Sequence, residues 1–293
     1  MTLPASIGRY RIDSKLGQGA SGIVYCGFDP MNARHVAIKT IPPELWHLTE
    51  GRQLASRLLR EAVVTQSFSH PNVTTVYASG EEQGIPFLAM ELHQGQPLKE
   101  YIHKRDTRPL RTRIVDIMLQ TLAGLGYIHA LGIIHGDLKP ANIILLAEGA
   151  VKITDFGAAR FAKEYTPGMS KVTGTHGYMA PEQLMGQRTD QRADLFAAGV
   201  ILHELLTGVK PFAGHGTHDI TRNILTATPS DPTSFDMSIP APFYAVLKKA
   251  LAKRPRDRFQ NAETFQESLT LADQNRYAPA LNPDGEEGSV QQE

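Results

Sequence analysis

The hydrophobic and polar positions of the first ninety residues alternate as they do in β-strands. Alternation with a period of two, in short runs rich in β-branched and aromatic residues, predicts a small antiparallel sheet. The five runs lie at residues 8–17, 22–29, 35–41, 73–80 and 85–92. Between the third and fourth runs, Leu54, Leu58, Ala62 and Val63 recur at helical spacing. One helix is therefore expected in this part of the chain.

The pattern becomes helical after residue 96. Amphipathic or wholly apolar segments long enough for helices lie at residues 112–132, 194–208, 243–255 and 261–273. Two short apolar runs, at 143–146 and 151–154, predict a pair of strands. Residues 158–190 show no clear periodicity, and a loop of that length in a compact domain is usually functional.

These elements predict an α+β protein with two lobes. Residues 1–92 are expected to form a five-stranded antiparallel sheet with one helix, and residues 93–273 a larger, mostly helical lobe. The connection is expected near residues 91–96, and a crevice between two lobes commonly binds a ligand. Residues 274–293 are rich in Pro, Gly and acidic residues, which is typical of a disordered tail or linker.

The composition narrows the classes of partner. Of the 293 residues 41% are hydrophobic, which is enough for a sizeable core. Lys and Arg number 30, as do Asp and Glu, so no charge surplus points to nucleic acid or an anionic membrane. No apolar run reaches the roughly 18 residues that a membrane helix needs. Cys26 is the only cysteine, which excludes an internal disulfide and fits a reducing, cytoplasmic location.

Three glycines stand between the first two predicted strands. Gly17, Gly19 and Gly22 lie in the stretch LGQGASGIV, and glycine lets a backbone approach phosphate groups closely. A dinucleotide-binding fingerprint or a Walker loop would need a helix directly after the glycines. Because a strand follows here, the pattern argues against both, and leaves a plain glycine-rich hairpin or another kind of phosphate-binding loop.

Lys39 ends the apolar strand segment VAIK. A buried ammonium without a partner is costly, so a carboxylate is expected near it. Glu61, on the predicted helix that follows, is the obvious partner. Taken alone, Lys39 is also typical of a strand lysine whose charged end reaches solvent.

The stretch IIHGDLKPANIIL, residues 133–145, brings three kinds of polar group together. Asp137 can accept a hydroxyl proton, Lys139 can neutralise a transferring phosphoryl group, and Asn142 offers an amide oxygen. Asp155, in TDFG, adds a carboxylate, and a few oxygen ligands of this kind suit Mg2+ bound together with phosphates. Each of these residues alone is also typical of a solvated surface.

The order of the motifs is more specific than any one of them. A glycine-rich loop, VAIK, a helical Glu, HGDLKPAN, DFG and APE follow one another along the chain. Together they resemble the eukaryotic-type protein kinase family over about residues 8–272. The segments around DFG and APE are most similar to those of bacterial members. The resemblance implies the two-lobed protein kinase fold.

The resemblance implies a role for each catalytic motif. Lys39, paired with Glu61, would contact the α- and β-phosphates of ATP. Asp137 would orient or receive the substrate hydroxyl, and Lys139 would stabilise the transferred phosphoryl group. Thr175 matches the threonine that bonds this aspartate and lysine in serine/threonine kinases.

The resemblance also implies a nucleotide site and a metal site. The residues expected to surround ATP are Leu16, Gly17, Gln18, Gly19, Ala20, Ser21, Gly22, Ile23, Val24, Ala37, Lys39, Met90, Glu91, His93 and Ile144. Met90 stands at the gatekeeper position, and the backbone of Glu91 and His93 would bond the adenine edge. Asn142 and Asp155 would hold Mg2+ or Mn2+.

The implied substrates are serine and threonine hydroxyls of proteins, including the chain's own. Tyrosine kinases usually lack a lysine at the position of Lys139, and small-molecule kinases of related fold generally lack the APE segment. The alternative is a pseudokinase scaffold that binds nucleotide or partners without catalysis. Bacterial relatives often continue into a membrane anchor or further domains, and some act with a forkhead-associated-domain protein, so such a partner, dimerisation and a link to type VI secretion are further expectations.

Three residues outside the cleft are expected to support it. Glu182, in APE, should pair with Arg258 in a buried ion pair, so that mutating either would harm folding without touching the chemistry. Asp194, at the start of the apolar segment 194–208, should anchor the catalytic loop.

One position departs from the family pattern. Most members carry an arginine where Gly136 stands, and that arginine binds a phosphate on the activation loop. The loop must therefore either order without phosphorylation or use a reduced pocket of Arg57 and Arg160, although both arginines are also typical of solvated side chains. The phosphosites to consider are Thr166, Ser170 and Thr173.

Overall fold

Residues 3–19, 21–103, 111–162 and 176–274 are described by the computed structural model. The N-terminal part is an antiparallel sheet with the strand order β1-β2-β3-β4-β6-β5. Its strands are β1 (Ser6–Ile7), β2 (Tyr10–Gly19), β3 (Gly22–Asp29), β4 (Arg34–Thr40), β5 (Val76–Glu82) and β6 (Ile85–Glu91). The five predicted strands are confirmed, and the two-residue β1 pairs with β2 at the edge.

Each face of this sheet contributes to a hydrophobic core. Ile38 and its neighbours on one face form a core of their own. The single helix, α1 (Thr49–Thr65), contacts β5 and β6 and buries Leu58 and Ala62. Val63, which shares the predicted helical spacing, is 61% exposed, because it lies about 100° around the helix axis from Ala62.

The C-terminal part is mostly helical, as predicted. Its helices are α2 (Leu98–His103), α3 (Arg111–Ala130), α4 (Pro181–Leu184), α5 (Arg192–Thr207), α6 (Thr217–Thr226), α7 (Pro242–Ala250) and α8 (Ala262–Gln274). The apolar α5 is buried from Ala193 to Thr207, and α3 and α7 pack against it. It ends at Gly208, whose φ of 79° gives the left-handed cap that only glycine adopts without strain.

Short strands place the polar loops beside this helical core. They are β7 (Gly95–Pro97), β8 (Ile133–Ile134), β9 (Ile143–Leu146), β10 (Val151–Ile153) and β11 (Arg160–Phe161). One sheet has the order β10-β9-β7, and β11 pairs with β8. The segment 135–142 therefore joins β8 to β9, and Asp155 stands two residues after the end of β10. Both loops emerge on the same side because β9 and β10 form an antiparallel hairpin.

The hinge and a pair of backbone hydrogen bonds are among the connections between the two parts of the molecule. β6 ends at Glu91 and β7 begins at Gly95, so the chain crosses between them within the predicted hinge. In addition, Thr74 N donates to Ile153 O at 2.9 Å and Ile153 N donates to Asn72 O at 2.9 Å. This second connection fixes β10, and hence Asp155, next to the N-terminal sheet.

Among the described residues, no helix combines the length and apolar character that crossing a bilayer would demand.

Candidate active site

Lys39 is held by two carboxylates from two different elements. It stands near the end of the central strand β4 and is 3% exposed. Its Nζ lies 2.7 Å from Glu61 Oε2, on α1, and 2.6 Å from Asp155 Oδ1, after β10. Glu61 also accepts a hydrogen bond from Phe156 N at 3.0 Å through its second oxygen. The pairing with Glu61 follows the sequence prediction, whereas the contact with Asp155 was not predicted.

Burial and the charges of Lys39, Glu61 and Asp155 shift the pKa values of these three residues. Burial alone would lower the pKa of Lys39, but the charges of Glu61 and Asp155 outweigh it and raise the pKa above its usual value. Burial alone would likewise raise the pKa of Asp155, but Lys39 lowers it below its usual value. The pKa of Glu61 is raised, first by burial and then by the neighbouring Asp155 charge. Two carboxylates thus share one ammonium, and Asp155 is the one held firmly as an anion.

Asp155 has a left-handed backbone conformation, with φ at 64°. Aspartate is among the few residues besides glycine found there with some frequency. Ser21, in the glycine-rich loop, is near enough to help lower the pKa of this carboxylate, after Lys39. The carboxylate therefore lies near both Lys39 and that loop, at the entrance of the predicted nucleotide site.

Asp194 anchors the loop that precedes β9. This residue lies in the first turn of α5 and is 1% exposed. Its carboxylate accepts hydrogen bonds from His135 N at 2.9 Å, Gly136 N at 2.9 Å and His129 Nε2 at 2.8 Å. Burial acts to raise the pKa of Asp194, but the hydrogen bond and charge of His129 prevail and lower it. The predicted anchoring by Asp194 is present, while the part played by His129 was missed.

Asp137 lies at the apex of this loop with its two polar neighbours. Lys139 Nζ donates to Asp137 Oδ2 at 2.6 Å, and Asn142 Nδ2 donates to Asp137 O at 2.9 Å. The carbonyl of Asn142 accepts from Thr154 N at 3.0 Å, which ties this loop to the residue before Asp155. The structure thus brings Asp137, Lys139, Asn142 and Asp155 together, as the sequence predicted.

The donor set fits Mg2+ bound mainly through substrate phosphates. The hydrogen bond from Asn142 uses the amide nitrogen and leaves the oxygen Oδ1 as a possible ligand beside the Asp155 carboxylate. The described residues contain no group of three or more His, Cys, Asp or Glu that could hold a metal ion unaided. Two protein oxygens plus phosphates is the pattern that Mg2+ commonly adopts.

The glycine-rich loop leaves open space above the cleft. A Cβ built on Gly17 or Gly19 would meet no atom within 4 Å. Gly22 differs, because its φ is 123° and a Cβ there would lie 2.5 Å from Thr40 O. Two of the glycines therefore face free space where phosphates could lie, and the third is required by the close approach of β3 to β4.

One face of the N-terminal sheet carries the residues predicted to surround adenine. Residues opposite each other in an antiparallel pair share a face, and the Cα partners here are Val24 with Lys39 and Ala37 with Met90. Ile23 is the exception among the predicted nucleotide residues. Its side chain is 3% exposed and belongs to the core on the opposite face, because successive strand residues point in opposite directions.

The side chains of the hinge residues Glu91 and His93 form hydrogen bonds with protein groups and not at the predicted adenine edge. Glu91 Oε2 accepts from Lys152 Nζ at 2.9 Å, and His93 Nε2 lies 2.9 Å from Thr74 Oγ1. Burial lowers the pKa of His93. Glu91 N itself donates to Thr75 O at 2.9 Å, and the adenine contacts expected of the Glu91 and His93 backbone stay a prediction. Ile144 faces the hinge region from β9, opposite Pro97 of β7.

The remaining predicted residues have different environments. Leu16 is 52% exposed. The side chain of Gln18 accepts from Lys15 Nζ at 2.6 Å and donates to Glu44 Oε1 at 3.0 Å, so it lies along the loop's outer side. The predicted site residues Ala20 and Thr175 lie outside the described residues, as do the phosphosites Thr166, Ser170 and Thr173.

The backbone conformation at position 136 explains why a glycine stands there. Its φ is 78°, and a Cβ there would lie 3.0 Å from Ala158 O and 3.3 Å from Arg160 Nη1. The guanidinium of Arg160 thus stands beside the place of the arginine that most of the family carries. Arg57 lies on α1, which contacts β11, the strand of Arg160. The elements of the predicted reduced pocket are therefore neighbours.

The predicted ion pair behind the site is present. Arg258 Nη1 and Nη2 donate to the two carboxylate oxygens of Glu182 at 2.8 and 2.7 Å. Both residues are buried, and Arg258 also donates to the carbonyls of Ala252, Arg192 and Lys253. This bidentate pair joins the start of α4 to the segment before α8.

Comparison with known proteins agrees with this geometry. The model of the protein kinase domain family matches residues 10–270. The chain therefore belongs to the protein kinase family.

Its curated relatives are bacterial serine/threonine kinases by name. It is 36% identical over 264 residues, 87% of this chain, to the probable serine/threonine-protein kinase SCO3848 of Streptomyces coelicolor. It is 33% identical over 267 residues, 90% of this chain, to PrkC of Bacillus subtilis, and 31% identical over 300 residues, 99% of this chain, to PknB of Mycobacterium tuberculosis. These matches cover 38%, 40% and 47% of the relatives' lengths, so the chain spans less than half of each.

Proposed function

We propose that this chain is the catalytic domain of a serine/threonine protein kinase, which transfers the γ-phosphoryl group of ATP to serine or threonine hydroxyls. The observation that carries the proposal is the convergence of Lys39, held by Glu61 and Asp155, with the anchored pair of Asp137 and Lys139. The curated relatives, all named serine/threonine-protein kinases, support the substrate class.

The arrangement suits phosphoryl transfer because that reaction needs positioning and charge neutralisation more than covalent chemistry. Lys39, with its raised pKa, stays an ammonium at neutral pH and would hold the α- and β-phosphates. Asp137 would orient the attacking hydroxyl and receive its proton as the bond to phosphorus forms. Lys139 would neutralise the transferred group, which its position 2.6 Å from Asp137 allows.

Asn142 and Asp155 would hold Mg2+ or Mn2+ through oxygen ligands. When bound, the metal ion supplies neutralisation of the β- and γ-phosphate charges. The chain's own contribution is to fix the two ligands through the Asp137 carbonyl and Lys39.

The finer expectations from the resemblance also belong to this proposal. They are a cytoplasmic location, protein substrates that include the chain itself, a forkhead-associated-domain partner and dimerisation. A phosphothreonine is what a forkhead-associated domain would recognise, so the partner depends on the proposed activity.

Transfer of label from [γ-32P]ATP to myelin basic protein, with Mg2+ or Mn2+, tests the proposal. The native chain is expected to transfer label, and Asp137→Asn to lose about 10²–10⁴-fold in rate, the usual contribution of a general base. Normal nucleotide binding without transfer by the native chain would instead identify a pseudokinase scaffold.

A further inference from the structure

Gln183 uses both ends of its side-chain amide to join two parts of the site. Its Oε1 accepts from Ala180 N at 2.9 Å, and its Nε2 donates to Gly136 O at 2.9 Å. Ala180 lies directly before α4, in the segment that follows the activation loop. Gly136 directly precedes Asp137. One side chain therefore connects that segment to the catalytic loop.

The hydrogen bond from Gln183 acts on the peptide unit that joins Gly136 to Asp137. A peptide unit is planar, so the carbonyl of residue 136 and the N–H of Asp137 turn together. Glycine has wide backbone freedom, and Gly136 has no side chain whose packing could restrict its ψ. Asp194 fixes the preceding peptide unit, through Gly136 N at 2.9 Å. Two side chains hold the unit between Gly136 and Asp137: Asp137 N donates to His135 Nδ1 at 3.3 Å, and Gln183 Nε2 donates to Gly136 O at 2.9 Å. The bond from Gln183 is the shorter of the two and the one that comes from outside the catalytic loop.

We propose that Gln183 is a positioning residue for phosphoryl transfer, which sets the orientation of Asp137 through the Gly136 peptide. It thereby couples the segment at Ala180 to the catalytic loop through an uncharged amide, with no phosphate in the connection. The inference rests on the proposed kinase activity. It also explains how a glycine can stand beside the catalytic aspartate without loosening it.

Two variants separate this role from simple anchoring of the segment at Ala180. Gln183→Glu keeps an oxygen that can accept from Ala180 N but has no donor for Gly136 O. Gln183→Ala loses both hydrogen bonds. Gln187→Ala is the matched control, because Gln187 is exposed and its side-chain amide donates only to Met185 Sδ at 3.8 Å.

Steady-state kinetics on a protein substrate give the first readout. Loss of one hydrogen bond that orients the base is expected to lower kcat about tenfold in both Gln183 variants. The KM for ATP should stay within about twofold, because Lys39 and the glycine-rich loop are untouched. Gln187→Ala should match the native chain, and urea midpoints should show that all variants are folded.

The inference would be overturned if Gln183→Glu had the kcat of the native chain, because the hydrogen bond to Gly136 O would then be dispensable. This holds whether or not Gln183→Ala is impaired. If the native chain itself transfers no phosphoryl group, the proposed function fails, and hydrogen exchange of a peptide spanning 133–138 decides the inference separately. Faster exchange in Gln183→Glu than in the native chain would support the bridge, and equal exchange would contradict it.

Discussion

Gly136 is a residue where the chain departs from its family and where the backbone is left-handed. A φ of 78° costs residues with a side chain about 1–2 kcal/mol. A side chain would in addition press on Ala158 O and Arg160 Nη1. The position therefore favours glycine on conformational grounds, independently of any role in binding phosphate.

Gly136→Ala is expected to lower the free energy of unfolding by about 1–3 kcal/mol, from backbone strain plus contact with Ala158 O. Urea denaturation of the purified chain measures it. Gly132→Ala is the matched control, because its φ is 73° but a Cβ there meets nothing within 4 Å. Equal losses in the two variants would show that the contact at 136 has no cost.

Sequence reasoning found most of the site residues, for identifiable reasons. The pairing of Lys39 with Glu61 could be predicted because a buried ammonium requires a carboxylate. Its second partner, Asp155, could not, since that contact depends on how the two parts of the molecule meet. Ile23 was misplaced because both faces of its strand are apolar, so alternation does not say which face meets a ligand. Gln183 carries no motif and was missed.

Among the elements, α5 carries a buried polar group in its apolar length. His203 is buried, with Nδ1 2.9 Å from Val209 O and Nε2 3.0 Å from Ser230 Oγ. Burial lowers the pKa of His203. The backbone carbonyls of Val209 and Ser230 and the charge of nearby Glu204 act in the opposite direction but do not outweigh burial. The folded chain therefore binds a proton on this ring less readily than the unfolded chain does.

This difference predicts a loss of stability in mild acid. With the folded pKa below the unfolded value of about 6.5, the contribution of His203 is complete above that pH and is lost as the pH falls through the folded pKa. Urea unfolding between pH 7.5 and 5 should show a steeper decline for the native chain than for His203→Gln, by at most about 1.4 kcal/mol per pH unit. Parallel declines would contradict the assignment.

Most long elements and the apolar strands β9 and β10 could be predicted, whereas the helix α6 and the two-residue strands could not. Periodicity identified the five strands and the helices α1, α3, α5, α7 and α8, because each is long enough to show a repeat. The two-residue strands β8 and β11 have no repeat, and their pairing depends on the helical core beneath them. They nevertheless place Arg160 beside Gly136.

At the scale of the whole molecule, the ion pair of Glu182 and Arg258 joins distant parts of the C-terminal lobe. The two residues are 76 positions apart, and the Arg258 side chain is fully buried. Removing one partner leaves a buried charge without its counterion, which typically costs about 3–5 kcal/mol.

Glu182→Gln is therefore expected to lower the free energy of unfolding by about 3–5 kcal/mol in urea denaturation, while the kcat of the folded fraction stays near native. Asp190→Asn serves as the control, because the pair it forms with Arg192 is partly exposed, with side chains 44% and 26% accessible. That pair should contribute at most about 1 kcal/mol. Similar losses in both variants would contradict a special role for the buried pair.

The two lobes meet around Lys39, Asp155 and Asp137, where we propose that phosphoryl groups are transferred to serine and threonine. Phosphopeptide mapping by mass spectrometry, after incubating the chain with ATP and Mg2+, tests it most directly. Phosphoserine or phosphothreonine in the native chain, absent from Asp137→Asn, is the predicted result. An unmodified native chain that still binds ATP, phosphotyrosine alone, or equal modification of both chains would contradict it.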